Sequence, residues 1–496
     1  MTAARTAVCT LLSAAALTVL GGCAAFGIDA APPSAAQLAA LAPPQWYAPT
    51  AHQGEVAELS LWWQQFDDPL LARLVDDAER VSPTVSSARA RIAQSHADRV
   101  ATGASLLPRL DASASAQRGV YDSSGAIATS SGGSLAASWE LDLFGGVRAS
   151  RDAAQARLEG SQALWHDARV SVAAEVATQY IALRACEAQS IQVQIDADSR
   201  AETARLTDLT ARAGFESPAN AALARASAAQ GHAQLTQQRA QCDSDIKGLV
   251  ALTGTAEPAL RDALSPARGV IAQPREIAVP AMPAALLQQR PDLASAERTL
   301  VAAAADITAR QAERLPRIQL AGSIGTTRYR SSAPSGFVGG ISGSGTTWSV
   351  GPVSVSLPIF DGGTRRATVE AARAAYADAT AQYSATLRRA VQEVESALIT
   401  LQSSADRQAD AEVAASGFAA SLRATEARFR SGIGNLFELE DARRSAVQAQ
   451  TTLIDLRRER VTAWVSLYRA LGGGWTAAAD RVVDTRDAPP RAPSIP

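Results

Sequence analysis

A stretch that occurs twice constrains this chain more than any other feature. Residues 138–148 read SWELDLFGGVR and residues 354–365 read SVSLPIFDGGTR. Each is a short alternating strand, then Phe, then Gly-Gly, then an Arg that opens a very long helical pattern. Phe144 and Phe360 stand 216 residues apart and Arg148 and Arg365 stand 217 apart, the extra residue being Asp361. The surroundings repeat as well. LLPRLDASAS at 106–115 matches RLPRIQLAGS at 314–323, and RAGFESPANAALARASAAQ from Arg212 matches RSGIGNLFELEDARRSAVQ from Arg430. A period of about 210 residues is too long for a solenoid unit, so the chain is a tandem duplication of one large module.

The helices in that module are exceptionally long. Val147 to Ala213 contains no proline and a single glycine, Gly160, and these 67 residues span roughly 100 Å as a helix. Val172, Val176, Gln179, Leu183 and Cys186 step by four and three, and Leu387, Val391, Val394, Leu398 and Leu401 do the same. Val461, Trp464, Tyr468 and Leu471 continue the pattern on a returning helix. Such spacing marks a coiled-coil seam rather than a cofactor box. Each long helix reaches a glycine, Gly214 or Gly432, and returns through a shorter helix, giving an αα-hairpin. Shorter helices over 68–82 and from Pro83 to about Leu107 precede the first strand, and Pro291 starts the equivalent helix in the second half.

Four strands are expected, over 109–120, 134–143, 317–330 and 346–358. Leu110, Ala112, Ala114 and Ala116 alternate with Asp111, Ser113, Ser115 and Gln117. Trp139, Leu141 and Leu143 form the apolar set of the second strand, and Ile318, Leu320 and Ile324 that of the third. The fourth changes phase at Gly351-Pro352, from Trp348 and Val350 to Val353, Val355 and Leu357, which predicts a bulge. Ser/Gly-rich loops at 121–133 and 331–345 join each pair. This alternation is the transmembrane-barrel signature, with Trp139 and Trp348 in the aromatic girdle; a soluble β-sandwich shows the same alternation. Four strands cannot enclose a water-filled lumen, so a barrel needs several chains.

The bulk properties agree. There are 47 basic and 49 acidic residues and no long basic run, which gives no support to a nucleic-acid partner. Beyond the N-terminus no apolar run is long enough for a spanning helix, so membrane insertion must use strands. Residues 1–22 read as a signal peptide, with Arg5, an apolar core from Ala7 to Leu20 and then small residues. Leu20-Gly21-Gly22-Cys23 resembles a bacterial lipobox, which makes Cys23 the lipidated first residue of the mature chain; ordinary cleavage beside a chance cysteine is the alternative. The four histidines (His52, His96, His166, His232) are scattered without metal-ligand spacing or a paired nucleophile, so neither catalysis nor a cofactor is expected.

Cys186 and Cys242 are then the only free thiols of a mature chain. Each lies 28 residues from Gly214, so an antiparallel hairpin puts them at equal height, about 40 Å from the turn. Both sit on apolar stripes. An oxidising compartment favours a disulfide; two buried free cysteines are the alternative.

Together these features resemble the TolC-like outer-membrane efflux factors, in the lipoprotein (NodT-like) branch. SWELDLFGGVR, LPIFDGG, ARFRSGIGNLFELEDARR and LYRALGGGW carry the resemblance, over roughly residues 40–475. It implies a mainly α chain with a small transmembrane β part. In a homotrimer, four strands per chain form a 12-stranded barrel in outer-membrane lipid, continued by a long periplasmic α-helical barrel. It also implies a periplasmic adaptor and an inner-membrane pump of the resistance-nodulation-division type as partners. Glu438 and Asp441 fall where the family carries acidic gate residues, Phe437 where a bulky gate residue sits and Arg444 where a basic partner sits. Acids near a helix N-terminus are also favourable without any function. In the first hairpin Ala219 and Asn220 depart from the acidic pattern, leaving Asn220 and Arg225 as candidates.

The implied function is the exit duct of a tripartite efflux pump for small molecules such as drugs. A duct for protein secretion and a lipid-anchored coiled coil without a pore are the alternatives. The expected organisation is a signal at 1–22, a lipidated irregular segment at 23–67 and a first repeat at 68–255 with its hairpin at 147–255. A connector at 256–280, a second repeat at 281–471 with its hairpin at 363–471, and a tail at 472–496 complete it.

Overall fold

A computed structural model describes residues 63, 66–120, 127–274, 289–331 and 342–475, with 37, 42 and 43. The expected signal, Cys23, most of 23–67, the outer parts of both Ser/Gly-rich loops and the end of the tail lie outside the described residues. The helices are α1 (Pro69–Val81), α2 (Pro83–Ala104), α3 (Gly146–Arg212), α4 (Pro218–Thr253), α5 (Glu257–Leu264), α6 (Pro291–Ala312), α7 (Thr364–Arg430) and α8 (Leu436–Ala470). The strands are β1 (Arg109–Val120), β2 (Ile127–Leu141), β3 (Arg317–Ser331) and β4 (Ser342–Ser356). Contacts divide the chain into two units. One holds Ala93–Glu159 and Glu297–Gln382; the other holds Ala35–Ile92, Gly160–Ala296 and Tyr383–Pro496.

In the first unit the strands form one antiparallel sheet in the order β1-β2-β3-β4. Residues directly opposite one another share a face. Ala112 faces Leu135, Leu135 faces Ile324 and Ile324 faces Trp348; Trp139 faces Leu320 and Leu320 faces Val353. The apolar sets of all four strands therefore lie on one side. The register shifts between Leu320 and Gly322, where Gly351 and Pro352 add one residue to β4 and return Val353 and Val355 to the apolar side. Serine pairs bridge the other side, with Ser113 and Ser134 hydroxyls 2.9 Å apart and those of Ser323 and Ser349 3.0 Å apart.

Two expectations differ from this sheet. β2 begins at Ile127 rather than 134, and β4 at Ser342 rather than 346. The residues gained, such as Thr129, Ser130 and Gly132, have loop composition, yet β2 pairs along both edges and the ladder outweighs propensity. On the apolar side Trp348 is exposed and Trp139 is half-buried, its indole N–H donating to the Leu106 carbonyl at 3.0 Å.

The two strand-to-helix joints explain the one-residue mismatch of the repeat. Asp142 accepts from the backbone N–H of Val147 (3.1 Å) and Arg148 (3.0 Å), and the Arg148 side chain folds back onto it at 3.1 Å. In the second copy the residue aligned with Asp142 is Pro358, which carries no carboxylate. The inserted Asp361 supplies it, accepting from Gly363 N (3.0 Å), Arg365 N (3.1 Å) and Arg365 Nη1 (3.1 Å). Both carboxylates satisfy the otherwise orphaned first N–H groups of a helix.

The second unit is built on the seams seen in the sequence. Leu71, Leu74 and Ala78 of α1 pack in one cluster with Val172, Val176, Leu183 and Cys186 of α3 and Leu249 of α4. Val394, Leu398 and Leu401 of α7, Val461 and Trp464 of α8, and Leu471 just past its end complete it. α5 was not expected within the connector; Leu260 and Leu264, one turn apart, bury it. A polar chain runs through this core. Asp68 caps α1 and accepts the Tyr180 hydroxyl at 2.5 Å. Arg184 donates to Tyr180 (3.0 Å), Glu187 (2.9 Å) and the Leu264 carbonyl (2.9 Å). Buried Arg290 likewise holds Glu393 and the Ala470 carbonyl at the end of α8. There Gly472, Gly473 and Gly474 all have φ between 64° and 82°.

Burial holds the Asp167 carboxyl above its usual range. Asp292 and Glu393 reinforce that shift, while Arg469 and Arg290 oppose it. A carboxyl with a raised folded pKa binds its proton more tightly when folded, so its contribution is present at acid pH and is lost as pH rises through that pKa. Asp167→Asn is expected to raise the thermal midpoint at neutral pH relative to the parent, with the difference vanishing below about pH 4. A second prediction concerns the glycine turn. A Cβ on Gly472 would sit 2.1 Å from the Gln289 carbonyl oxygen, at φ 82°. Gly472→Ala is expected to cost about 3 kcal/mol or more in denaturant titrations. Gly417→Ala, with open space at an exposed helical position, is expected to be neutral or to add up to about 1 kcal/mol.

Candidate functional site

Both hairpins turn by the same chemistry. α3 ends at Gly214, with φ 80°, and Phe215 N donates back to the Thr210 carbonyl at 2.9 Å. α7 ends at Gly432, with φ 77°, and Ile433 N donates to the Arg428 carbonyl at 3.1 Å. Positive φ after a helix favours glycine. Each return helix starts on a side-chain cap: Ser217 Oγ accepts from Asn220 N at 3.1 Å, and Asn435 Oδ1 accepts from Glu438 N at 2.8 Å. The turns leave Phe215, Ile433 and Phe437 exposed at 87%, 73% and 66%.

The residues picked out from the sequence surround these turns. Glu438 is exposed, 3.7 Å from Arg428, and Asp441 pairs with Arg444 one turn along α8, both largely solvated. Asn220 donates to Glu216 at 2.8 Å, and Arg225 lies 3.8 Å from Asp208. Each of these pairs stays within one hairpin.

A buried cluster joins the two hairpins instead. Glu440 of α8 accepts Arg443 Nη1 at 2.9 Å through one oxygen. Its other oxygen accepts Arg200 Nη1 (2.9 Å) and the Ser227 hydroxyl (2.7 Å) from the first hairpin. Arg200 also donates to Asp196 at 2.7 Å. Arg443, only 2% exposed, reaches across to Ser199 Oγ (2.8 Å) and Thr203 Oγ1 (2.7 Å), and Ser199 donates to Glu426 at 3.0 Å. Two guanidinium groups are thus compensated by three carboxylates in a weakly hydrated space. Gly231 makes room for it, since a Cβ there would meet Arg200 Cδ at 2.9 Å.

The sequence carried a signal for this cluster. Leu436, Leu439, Arg443 and Ala446 step by three, four and three and are all buried, so Arg443 occupies a seam position. A charge at such a position needs partners on the facing helices. Among the described residues no group of three His, Cys, Asp or Glu side chains could hold a metal ion.

Higher in the first hairpin Cys186 and Cys242 are bonded, with Cα atoms 5.6 Å apart. Their sequence separation of 56 closes a loop for which the chain-entropy model gives roughly 4 kcal/mol.

An uncovered apolar strand face in the same chain as two capped, mutually bridged helical hairpins defines a channel-type subunit. The chain belongs to the outer membrane efflux protein family, whose model matches residues 74–255 and 282–473, one stretch in each half of the duplication. It is similar to outer membrane protein OprJ of Pseudomonas aeruginosa, 31% identical over 455 residues that cover 88% of this chain and 91% of that protein. It is also similar to the pyoverdine export outer membrane protein OpmQ of Pseudomonas putida, 30% identical over 452 residues covering 88% and 93%. The crystal structure of the Campylobacter jejuni CmeC outer membrane channel superposes with a TM-score of 0.77 at 22% identity, over 89% of this chain and 98% of that one, a likeness of fold alone.

Removing one member of a buried charge cluster strands the others. Glu440→Gln is expected to destabilise the protein by about 3 kcal/mol. Asp441→Asn, which touches only a solvated pair, is expected to cost less than about 1 kcal/mol. Parallel urea or thermal titrations of the two variants check this.

Proposed function

We propose that this chain is the outer-membrane exit duct of a tripartite efflux pump for small molecules. One observation carries the reading. The sheet leaves β1 and β4 each with an edge lacking a partner strand among the described residues, and its apolar face is bare. Leu110, Trp348, Val350, Val353 and Val355 are 62–83% exposed. Lipid covers such a face only if the edges are closed by other copies. Three copies give twelve strands, and the hairpins of the three assemble into a helical barrel in the periplasm.

Cys23 carries lipid, and the tips meet a periplasmic adaptor that links the duct to an inner-membrane pump of the resistance-nodulation-division type. The pump supplies the energy, and this chain has no catalytic step or cofactor. Pyoverdine export in the name of a relative supports a small-molecule cargo over a protein one. At the tip Phe437 narrows the passage, and threefold symmetry turns Glu438 and Asp441 into rings of acid that favour cations. Arg444 orients Asp441, and Asn220, held by Glu216, belongs to the turn of the other hairpin.

Planar-bilayer recording tests the reading. Stepwise, cation-preferring currents are expected from purified protein, and Glu438→Ala with Asp441→Ala is expected to reduce that preference and any block by multivalent cations. A monomeric protein that never conducts would sink the proposal. Currents of unchanged selectivity in the double variant would reduce these acids to solvated charges.

A further inference from the structure

The apolar side of the sheet changes character along its length. At the end where Asp142 and Asp361 turn strand into helix, Leu141, Ile318 and Val355 stand in one row, and Trp139, Leu320 and Val353 in the next. Leu135, Ile324 and Trp348 form a row farther out. Beyond them the same side turns polar and then basic. Ser131, Arg328 and Ser344 share one row; Arg118, Thr129 and Arg330 share the next, before Val120 and Ile127 end β1 and β2. Arg118, Arg328 and Arg330 are exposed, and none has an ion-pair partner among the described residues. The acids of the described strands, Asp111 and Glu140, lie on the serine-paired side near the helices, where Arg109 and Arg317 also lie. Arg109 pairs there with Asp111 at 2.9 Å. The apolar side therefore carries charge of one sign, gathered at one end.

Ten residues separate Ile318 from Arg328, about 33 Å along the strand. At a strand tilt of about 40° that is about 25 Å of height, the thickness of the lipid-facing band of an outer-membrane barrel. The helices leave from the periplasmic end, so the arginines stand in the outer headgroup layer. Arg118 and Arg330 flank Thr129 with one strand between them, about 10 Å apart, and Arg328 lies about 7 Å below Arg330. Long side chains on both flanks can close on one group lying over Thr129.

We propose that Arg118, Arg328 and Arg330 bind the phosphate groups of lipopolysaccharide, the phosphorylated glycolipid of the outer leaflet. A guanidinium offers paired donors that match phosphate oxygens. A phosphate monoester carries nearly two negative charges at neutral pH, where the phosphodiester of a phospholipid carries one, so three clustered cations favour the monoester. The site rests on the barrel of the exit-duct reading, which puts this face in lipid, and not on conduction.

Binding of fluorescently labelled lipopolysaccharide to the full-length protein in non-ionic detergent tests the proposal. The parent is expected to bind about tenfold more tightly than the combined variant Arg118→Gln, Arg328→Gln and Arg330→Gln. It is expected to prefer the intact lipid over the same lipid stripped of phosphate by a similar factor. If the combined variant does not fold, each single substitution is expected to weaken binding severalfold. Phosphatidylglycerol and inorganic phosphate in excess are expected to displace little of the label; full displacement by either overturns the assignment to lipopolysaccharide. Equal binding by parent and variant, or of intact and phosphate-free lipid, overturns the site itself. In bilayers the combined variant is expected to conduct as the parent does. A conducting parent that ignores phosphate removes the site alone, whereas one that binds as expected but never conducts removes the exit duct alone.

Discussion

A backbone N–H or C=O in a hydrocarbon has no water to turn to, and this demand governs the chain. The sheet meets it internally along three ladders and, among the described residues, leaves it unmet on two edges. Side chains obey the same logic, apolar on the face that lacks cover and serine-paired on the other. Everything else in the first unit serves to deliver these strands in register. Asp142 and Asp361 turn strand into helix, and the extra residue at Gly351-Pro352 absorbs the change of phase between Val350 and Val353.

The second unit solves the opposite problem. Its helices carry their large apolar side chains along seams that meet in one core, where polar residues are costly unless paired. Arg184, Arg290 and Arg443 are all buried, and each reaches a carboxylate and a further oxygen on another segment. Such clusters set which helix faces which, where alanine-rich surfaces alone would allow several registers.

Much of this was legible beforehand, and the reasons for the rest are specific. The duplication, the four strands, the bulge and both hairpins follow from periodicity and turn residues. The starts of β2 and β4 did not, because Thr129, Ser130 and Gly132 read as loop until the partner strands on both sides are known. α5 was hidden by its length, a single pair of leucines being too short a period to detect. At the tips the exposed acids drew notice as an acidic run beside a turn. Glu440 sits within that run but points its carboxylate into the interior, a direction that only the seam position of Arg443 betrays.

The joint built by Asp142 and Asp361 has a consequence for how such a chain can change over time. In each copy the carboxylate, the glycines and the arginine that make the turn all come from a stretch of a few residues. The joint therefore depends little on which strand enters it or which helix leaves it. Pro358 shows that the carboxylate can be lost from one place and regained three positions later with the geometry kept. A module with self-contained joints can be copied, fused and left to drift while its two descendants share one lineage.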